Sequence, residues 1–528
     1  MDEHKKIARA AGVVGGATLL SRIFGFIRDM VVAQLFGAGM ATDAFFVAFR
    51  IPNLLRRLVG EGALTVSFIP VYTEYRSQRS KEESDQLVNT SSSVLAILLI
   101  LVTVLGVLFS PWIVKVMAYG FSQEPEKFRL TVLLNRLMFP YIFFIGLVAL
   151  AMGVLNSWEH FAAPALAPVL LNVWIIACAL FLSGILGEPI LSLAIGVILG
   201  GASQLLFQIP FLRRTGIVPR FIFNLSHPGV RRIGILMAPS VLGLAVTQLN
   251  VVVSTFLASY LPEGSVSYLY YADRLLEFPM GVFAVAIATA ALPALSEYSS
   301  KNDLQGLKEA LSFSLRLVFL VTLPAMVGLV VLRVPILNLL FQRGAFNAHS
   351  TLMTAQALFY YALGLVAFAG VRIIVPAFYA LQDTKTPVKV AFVALFANAG
   401  LGSILMIPLQ HGGLALATSL AAGLNFALLA IFLKRKLGRL GAAKILRSFL
   451  RSMGASGLMG VVIYAIASRG AWDTTGVTME KIGLLTGAIL VGILVYAVAC
   501  YFLGSEELHS VLAIGKKKIW GGIHKPPR

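Results

Sequence analysis

The sequence predicts an all-α integral membrane protein with fourteen transmembrane helices, and three observations lead there. Of 528 residues, 58% are hydrophobic and only 13% charged, where a soluble domain carries roughly 25% charged residues. Apolar runs long enough to cross a bilayer recur along the whole chain, and mean hydropathy is +0.85. Lysine and arginine are concentrated in alternate loops, the asymmetry that orients membrane helices.

The first helix is expected over 13–36. The start, "MDEHKKIARAAGVVGG", has basic residues before an apolar run, as a signal peptide does. The run continues through "SRIFGFIRD" without a small-residue cleavage site, so it reads as a retained helix. The others follow over 41–75, 87–118, 129–155, 161–187, 190–212, 230–260, 266–298, 306–333, 351–382, 387–408, 412–436, 445–468 and 482–503.

With the N-terminus inside, "RRTGIVPR" (213–220), "KRKLGRL" (434–440) and "GKKKIWGG" (515–522) fall on the cytoplasmic side. The opposite face carries Lys115, Lys127, Arg129, Arg333, Arg343, Arg469 and Lys481. Both termini are therefore expected in the cytoplasm. The net charge of +19 reports topology and contact with anionic membrane lipids, not nucleic acid. Cys178 and Cys500 sit far apart in apolar segments, and no histidine pair has metal-ligand spacing, so neither a disulfide framework nor a metal site is expected.

Nine basic residues are left that topology does not explain: Arg22, Arg28, Arg50, Arg56, Arg57, Arg136, Arg274, Arg316 and Arg372. All are arginines, the side chain that grips phosphate or carboxylate with a planar fork. Arg136 and Arg316 lie near enough to helix ends to snorkel. In the second helix, Asp43, Arg50, Arg57 and Glu61 fall within about 40° around the axis, a mixed-sign stripe suited to a water-filled cavity. Arg56 points elsewhere, so this helix bends near Pro52 or serves two surfaces, and Gly60 and Gly62 suit a local unwinding around Glu61. The eighth helix carries Asp273 beside Arg274, and the tenth carries Arg372. Interhelical ion pairs, Arg28 with Asp43 for example, would account for single charges. However, Arg22, Arg28, Arg50, Arg56, Arg57 and Arg274 outnumber Asp29, Asp43, Glu61 and Asp273. Because an unpaired buried charge is the most costly kind, the excess suggests a missing anion.

The chain also echoes itself. "FIPVYTEY" (68–75) matches "ALPALSEY" (291–298). Leu155, Asn156 and Asn172 are matched in spacing by Leu381, Gln382 and Asn398. An offset of six helices keeps both copies in the same orientation, which fits a parallel repeat with a binding site between the halves. The expected division is an N-terminal lobe over 1–213 (helices 1–6) and a C-terminal lobe over 214–440 (helices 7–12). Helices 13 and 14 follow over 441–503, then a basic cytoplasmic tail over 504–528.

"SRIFGFIRD", "GAGMATDAFFVAFRIPNLLRRLVGEGALTVSFIPVYTEY", "YYADRLLEFP" and "AFYALQDTKTPVK" resemble the signature segments of the MurJ (MviN) lipid II flippases. These form a branch of the multidrug/oligosaccharidyl-lipid/polysaccharide exporter superfamily. The resemblance covers essentially the whole chain. It implies two six-helix lobes around a central cavity, with helices 13 and 14 forming a groove for the polyprenyl tail of the substrate. It places substrate headgroup-binding arginines at Arg22, Arg28, Arg56 and Arg274, and a required acid at Asp43. Ser21, Asp29, Arg50, Arg57, Glu61, Asp273 and Arg372 enter as supporting or ion-coupling positions; some relatives have Lys at Arg50 and Arg372. The implied function is export of lipid II from the cytoplasmic to the periplasmic leaflet of the bacterial inner membrane by alternating access, for peptidoglycan synthesis.

A monomeric transporter without a cofactor is expected, with lipid II, membrane lipids and peptidoglycan synthesis proteins as partners. Moving one negative charge outward across an inside-negative membrane gains roughly 2.3 kcal/mol per 100 mV, so the membrane potential can drive export. A coupling cation, sodium or a proton, is the other energy source. A flippase for another polyprenyl-pyrophosphate-linked oligosaccharide shares the same logic. A cation-coupled drug antiporter of the superfamily would favour unpaired carboxylates instead. An enzyme acting on polyprenyl phosphates needs a catalytic acid or histidine cluster in a loop, and the sequence offers none.

Overall fold

The computed structural model describes residues 2–58, 64–217, 220–438, 440–510 and 513, and every regular element among them is helical. The first part of the chain forms α1 (Asp2–Phe36), α2 (Met40–Leu55), α3 (Thr65–Gln78), α4 (Lys81–Leu108), α5 (Ser110–Met117), α6 (Pro125–Met138), α7 (Tyr141–Ser157), α8 (Ala162–Leu182), α9 (Leu191–Arg214) and α10 (Pro228–Ala258). It continues with α11 (Ser265–Pro279), α12 (Val285–Ser300), α13 (Leu304–Phe341), α14 (Ala348–Leu363), α15 (Leu365–Ala380), α16 (Lys385–Leu409), α17 (His411–Leu437), α18 (Ala442–Ala467) and α19 (Met479–Phe502).

Helix starts are set by local chemistry. The Ser80 side chain accepts the Glu83 amide to begin α4, Asp303 accepts Gly306 at α13, Asn347 accepts Ser350 at α14, and Thr478 accepts Lys481 at α19. Each cap satisfies an amide that the helix itself cannot.

Among the described residues, ten helical stretches are long and apolar enough to cross a membrane. The count is eleven if α14 and α15, which meet at 42°, form one span. Of the fourteen expected spans, α1, the α2–α3 pair and α10 lie outside that set. Two of them carry the embedded charges, among them Arg22, Arg28, Asp29, Asp43 and Arg50, which dilute an otherwise apolar composition. At the α14–α15 bend, a Cβ on Gly364 would lie 2.6 Å from Ser419 Oγ, so this glycine is a packing contact with α17.

The chain forms two compact units. The first runs to Ser267 and takes in Gly344–Phe346; the second comprises Tyr268–Arg343 and the chain from Asn347 onward. In the first, Phe68, Tyr72, Leu87, Leu99, Ile142, Leu150 and Val154 build a core between α3, α4 and α7. Helix α8 lies along α9 at glycine-only distance: a Cβ on Gly196 would come 2.7 Å from Ile175 Cα, and one on Gly200 2.9 Å from Leu171 Cα. Helix α10 packs on α3, α4 and α5 within this unit. The turn after α1 is closed by Gly37 (φ +67°), where a Cβ would meet the Ala345 carbonyl oxygen at 2.6 Å. The Ala345 amide donates to the Gln34 carbonyl at 2.9 Å.

In the second unit, Leu315, Phe319, Leu323, Ile373, Phe378, Leu429 and Leu433 join α13, α15 and α17. Helix α16 lies along α17, as α8 does along α9. Helices α18 and α19 pack on α13 through Leu332, Met459, Ile463, Leu485 and Ala488. Arg316 on α13 is paired with Glu506 (2.9 Å) and Glu507, just beyond α19.

The two segments that echo each other in sequence are both interrupted by π-helical turns. These lie at 56–58 and Leu64 between α2 and α3, and at Met280–Ala284 between α11 and α12. Such turns cluster at functional sites in helices.

Candidate functional site

The α1 charges form a compact knot in the first unit. Arg28 and Asp29 are both buried, at 8% and 2% exposure. Arg28 Nη2 and Nε donate to Asp29 Oδ1 at 2.7 and 3.0 Å, and Nη1 donates to Asn172 Oδ1 on α8 at 3.1 Å. Asn172 Nδ2 donates in turn to the Ser21 carbonyl at 3.3 Å. The knot therefore gathers Ser21, Arg28 and Asp29 with a neutral amide. Arg22, nearly two turns before Arg28 and Asp29, is exposed and makes no hydrogen bond or ion pair with any described residue.

Asp43 is enclosed separately, at 1% exposure at the start of α2. Its carboxylate accepts the Gly264 amide at 2.8 Å, and the Ser267 amide and hydroxyl at 2.9 and 2.7 Å. Lys127 Nζ on α6 lies 3.3 Å away and sits over the Phe121 ring at 4.3 Å. Asp43 thus closes the N-terminus of α11, while Glu263 accepts the Met40 amide at 2.6 Å and closes that of α2. The illustrative Arg28–Asp43 pair does not form: Arg28 takes Asp29, and Asp43 takes Lys127.

The remaining α2 positions do not share one environment. Arg50 is half-buried and donates to Thr255 Oγ1 on α10 at 2.7 Å. Arg56, also half-buried, donates to Asn53 Oδ1 at 2.9 Å. Arg57 is exposed, without an ion pair or hydrogen bond to any described residue. The single polar stripe assumed uniform α-helix; here α2 runs through Pro52 to Leu55, and the π turn at 56–58 then shifts the register. Glu61, with Gly60 and Gly62, lies outside the described residues.

In the second unit, Arg274 on α11 is half-buried. It donates to Glu277 Oε2 at 2.8 Å and to the Tyr270 hydroxyl at 3.0 Å, and lies over the Tyr270 ring at 4.9 Å. Asp273 beside it is exposed, and so is Arg372 on α15. In the "LQDTKTP" loop, Asp383 accepts the Thr386 hydroxyl and amide at 2.6 and 3.0 Å and pairs with Lys436. The Lys436 ammonium, then Thr386, hold its carboxyl well below the usual carboxylate range.

Sequence reasoning missed Lys127, counted there as a topological charge, and Thr255 and Tyr270. Asn172 was visible only as part of the internal echo. Among the described residues no three His, Cys, Asp or Glu side chains come together as a metal site. Chemically, the arrangement offers arginine forks held by amide, hydroxyl and aromatic neighbours.

The family model described as lipid II flippase MurJ matches residues 32–483. A Burkholderia cenocepacia protein, "Lipid II flippase MurJ", is 40% identical over 94% of this chain and 96% of its own. A Vibrio cholerae protein, "Probable lipid II flippase MurJ", is 38% identical over 95% of this chain and 97% of its own. Among solved structures, a lipid II flippase MurJ in an inward closed conformation superposes with a TM-score of 0.76 at 30% identity, covering 93% of this chain and 98% of that one. An inward-facing multidrug resistance MATE family transporter of the MOP superfamily shares the fold, with a TM-score of 0.66 at 16% identity over 81% of this chain and 98% of that one.

Proposed function

The chain belongs to the lipid II flippase MurJ family, and from that membership we propose how its embedded arginines handle the substrate. The protein is a lipid II flippase, a multi-pass transporter of the bacterial inner membrane serving peptidoglycan synthesis, and not an enzyme. In our reading Arg22, Arg28, Arg56 and Arg274 bind the anionic headgroup, with Ser21, Asp29, Arg50, Arg57, Asp273 and Arg372 in support.

One observation carries this reading. Asp43, the acid at the start of α2, is taken up by Lys127 and the start of α11. Arg22 and Arg57 make no ion pair or hydrogen bond with any described residue, and a pyrophosphate suits such forks. An arginine fork matches phosphate oxygens in a bidentate way, which a lysine cannot.

We read α1, the α2–α3 pair and α10 as spans too, giving fourteen, with both termini in the cytoplasm on the strength of the loop charge asymmetry. The paired helices α8–α9 and α16–α17 and the two π-interrupted segments favour six-helix halves over 1–213 and 214–440, with helices over 441–503 added for the lipid tail. Export follows from exposing the headgroup site alternately to the cytoplasmic and periplasmic sides. The membrane potential favours outward movement of the anionic headgroup by roughly 2.3 kcal/mol per charge per 100 mV. A sodium ion or proton returning the carrier is the alternative source. A monomer that meets peptidoglycan synthesis proteins completes the proposal.

The test is binding of purified lipid II to the full chain and to Arg22→Ala and Arg274→Ala, with thermal unfolding followed in parallel. Losing hydrogen bonds to a charged group costs about 1.5–3 kcal/mol, so affinity falls roughly tenfold or more in each variant. Unchanged affinity in folded variants overturns the headgroup role.

A further inference from the structure

A pocket with a largely apolar wall lies in the second unit. It encloses about 230 Å³ between α13 and α14 and is lined by Arg333, Leu352, Gln356, Phe359 and Tyr360. Arg333 is half-buried eight residues before the end of α13, roughly 12 Å along the helix. Its Nη1 donates to the Val330 carbonyl of the preceding turn, and the guanidinium lies 5.3 Å from the centre of the Phe359 ring on α14.

No carboxylate pairs with Arg333 among the described residues, and the carbonyl of its own helix leaves most of its five donors uncommitted. The Gln356 amide and Tyr360 hydroxyl lining the same cavity likewise have no hydrogen-bond partner among the described residues. Both are fixed from behind, because Gly412 at the start of α17 packs against them; a Cβ there would lie 2.9 Å from Tyr360 and 3.2 Å from Gln356 Nε2. Arg333, Gln356 and Tyr360 all line a space that would hold several waters. Val334, Ala355, exposed Leu352 and half-buried Phe359 make most of the wall apolar.

We propose that this cavity binds the phosphate of an anionic phospholipid, with Arg333 as the charged anchor, Gln356 and Tyr360 as neutral donors, and the acyl chains leaving past Leu352. Guanidinium, amide and phenol donors all suit phosphate oxygens, and a cation bound in an apolar helix needs an anion more than it needs water. The leaflet is the outer one, which rests on the topology proposed above. Binding itself does not rest on it.

The experiment uses the full-length chain carrying Leu352→p-benzoylphenylalanine, in nanodiscs of equal parts phosphatidylcholine and phosphatidylglycerol, whose leaflets are symmetrical. Photo-crosslinked lipid is counted by mass spectrometry. Several-fold enrichment of phosphatidylglycerol adducts is expected, and Arg333→Gln in the same background abolishes it. If Arg333→Gln does not fold, Gln356→Leu is the second variant, with enrichment reduced. Equal adducts of the two lipids, or enrichment that survives Arg333→Gln, overturns the site. Enrichment removed by inorganic phosphate in the buffer overturns the lipid as occupant. Lipid II binding by Arg333→Gln is measured alongside; its retention separates this site from the headgroup arginines.

Discussion

At the residue scale, the buried Asp43–Lys127 pair has the most predictable consequences. Removing one partner of a buried ion pair leaves the other charged and unsolvated, at a cost of about 3–5 kcal/mol. Lys127→Met is therefore expected to lower the unfolding temperature in detergent clearly. Lys127→Met with Asp43→Asn recovers much of the loss, because the amide keeps hydrogen-bonding capacity without the charge. If the double variant is no more stable than the single, the pair is not coupled. Asp383 behaves in the opposite regime, outside the membrane. Its folded-state pKa is depressed, so its stabilising effect is full above the unfolded value of about 4 and is lost as the pH falls through the folded value. Asp383→Asn should destabilise the protein at neutral pH, and the gap to wild type should close on acidification; a gap independent of pH would assign the effect to packing. Sequence alone singled out Arg28, Asp29 and Asp43 because charge in an apolar run stands out. It could not assign partners, because neighbours on a helix do not normally face each other and Lys127 sits beside a loop, where lysines are ordinary.

At the element scale, long apolar helices were legible, and an interruption of the second was expected near Pro52 or Gly60 and Gly62, but its kind was not. The second expected helix is α2, a π turn and α3, and periodicity with a fixed angle per residue cannot anticipate a wider turn. The π turn displaces Arg57, which ends up exposed, from the stripe that Asp43 and Arg50 share on α2. The link between α18 and α19 was equally hidden. Asn338 Nδ2 on α13 donates to the Trp472 and Thr474 carbonyls at 2.7 and 3.0 Å, and the buried Lys481 Nζ donates to Thr474 and Gly476 at 2.7 and 3.2 Å. Asn338→Leu strands those loop carbonyls, at about 1–3 kcal/mol. Hydrogen exchange should then accelerate over 470–478 while α16 and α17 stay protected; unchanged exchange there would show that the loop is held by other means.

At the scale of the whole molecule, orientation was read from charge placement and a repeat from two short echoes, one of which lies beside interrupted helices. Topology can be tested directly, since both native thiols, Cys178 and Cys500, are buried and give a quiet background. A membrane-impermeant thiol reagent applied from the periplasmic side should label Glu124→Cys and spare Asn302→Cys, and inverted vesicles should reverse the pattern. Labelling of both from one side would contradict the fourteen-span reading. The division into units was less legible, because the first takes in Gly344–Phe346 from far along the chain. That insertion has a consequence for biogenesis. While the ribosome is still translating the segment after Ser267, the Gln34 carbonyl lacks the Ala345 amide and the turn at Gly37 has nothing against it. At about 5–20 residues per second, the gap to Gly344 lasts roughly 4–15 seconds. Throughout that interval the nascent first unit stands incomplete in the bilayer, open to whatever insertase or chaperone attends it.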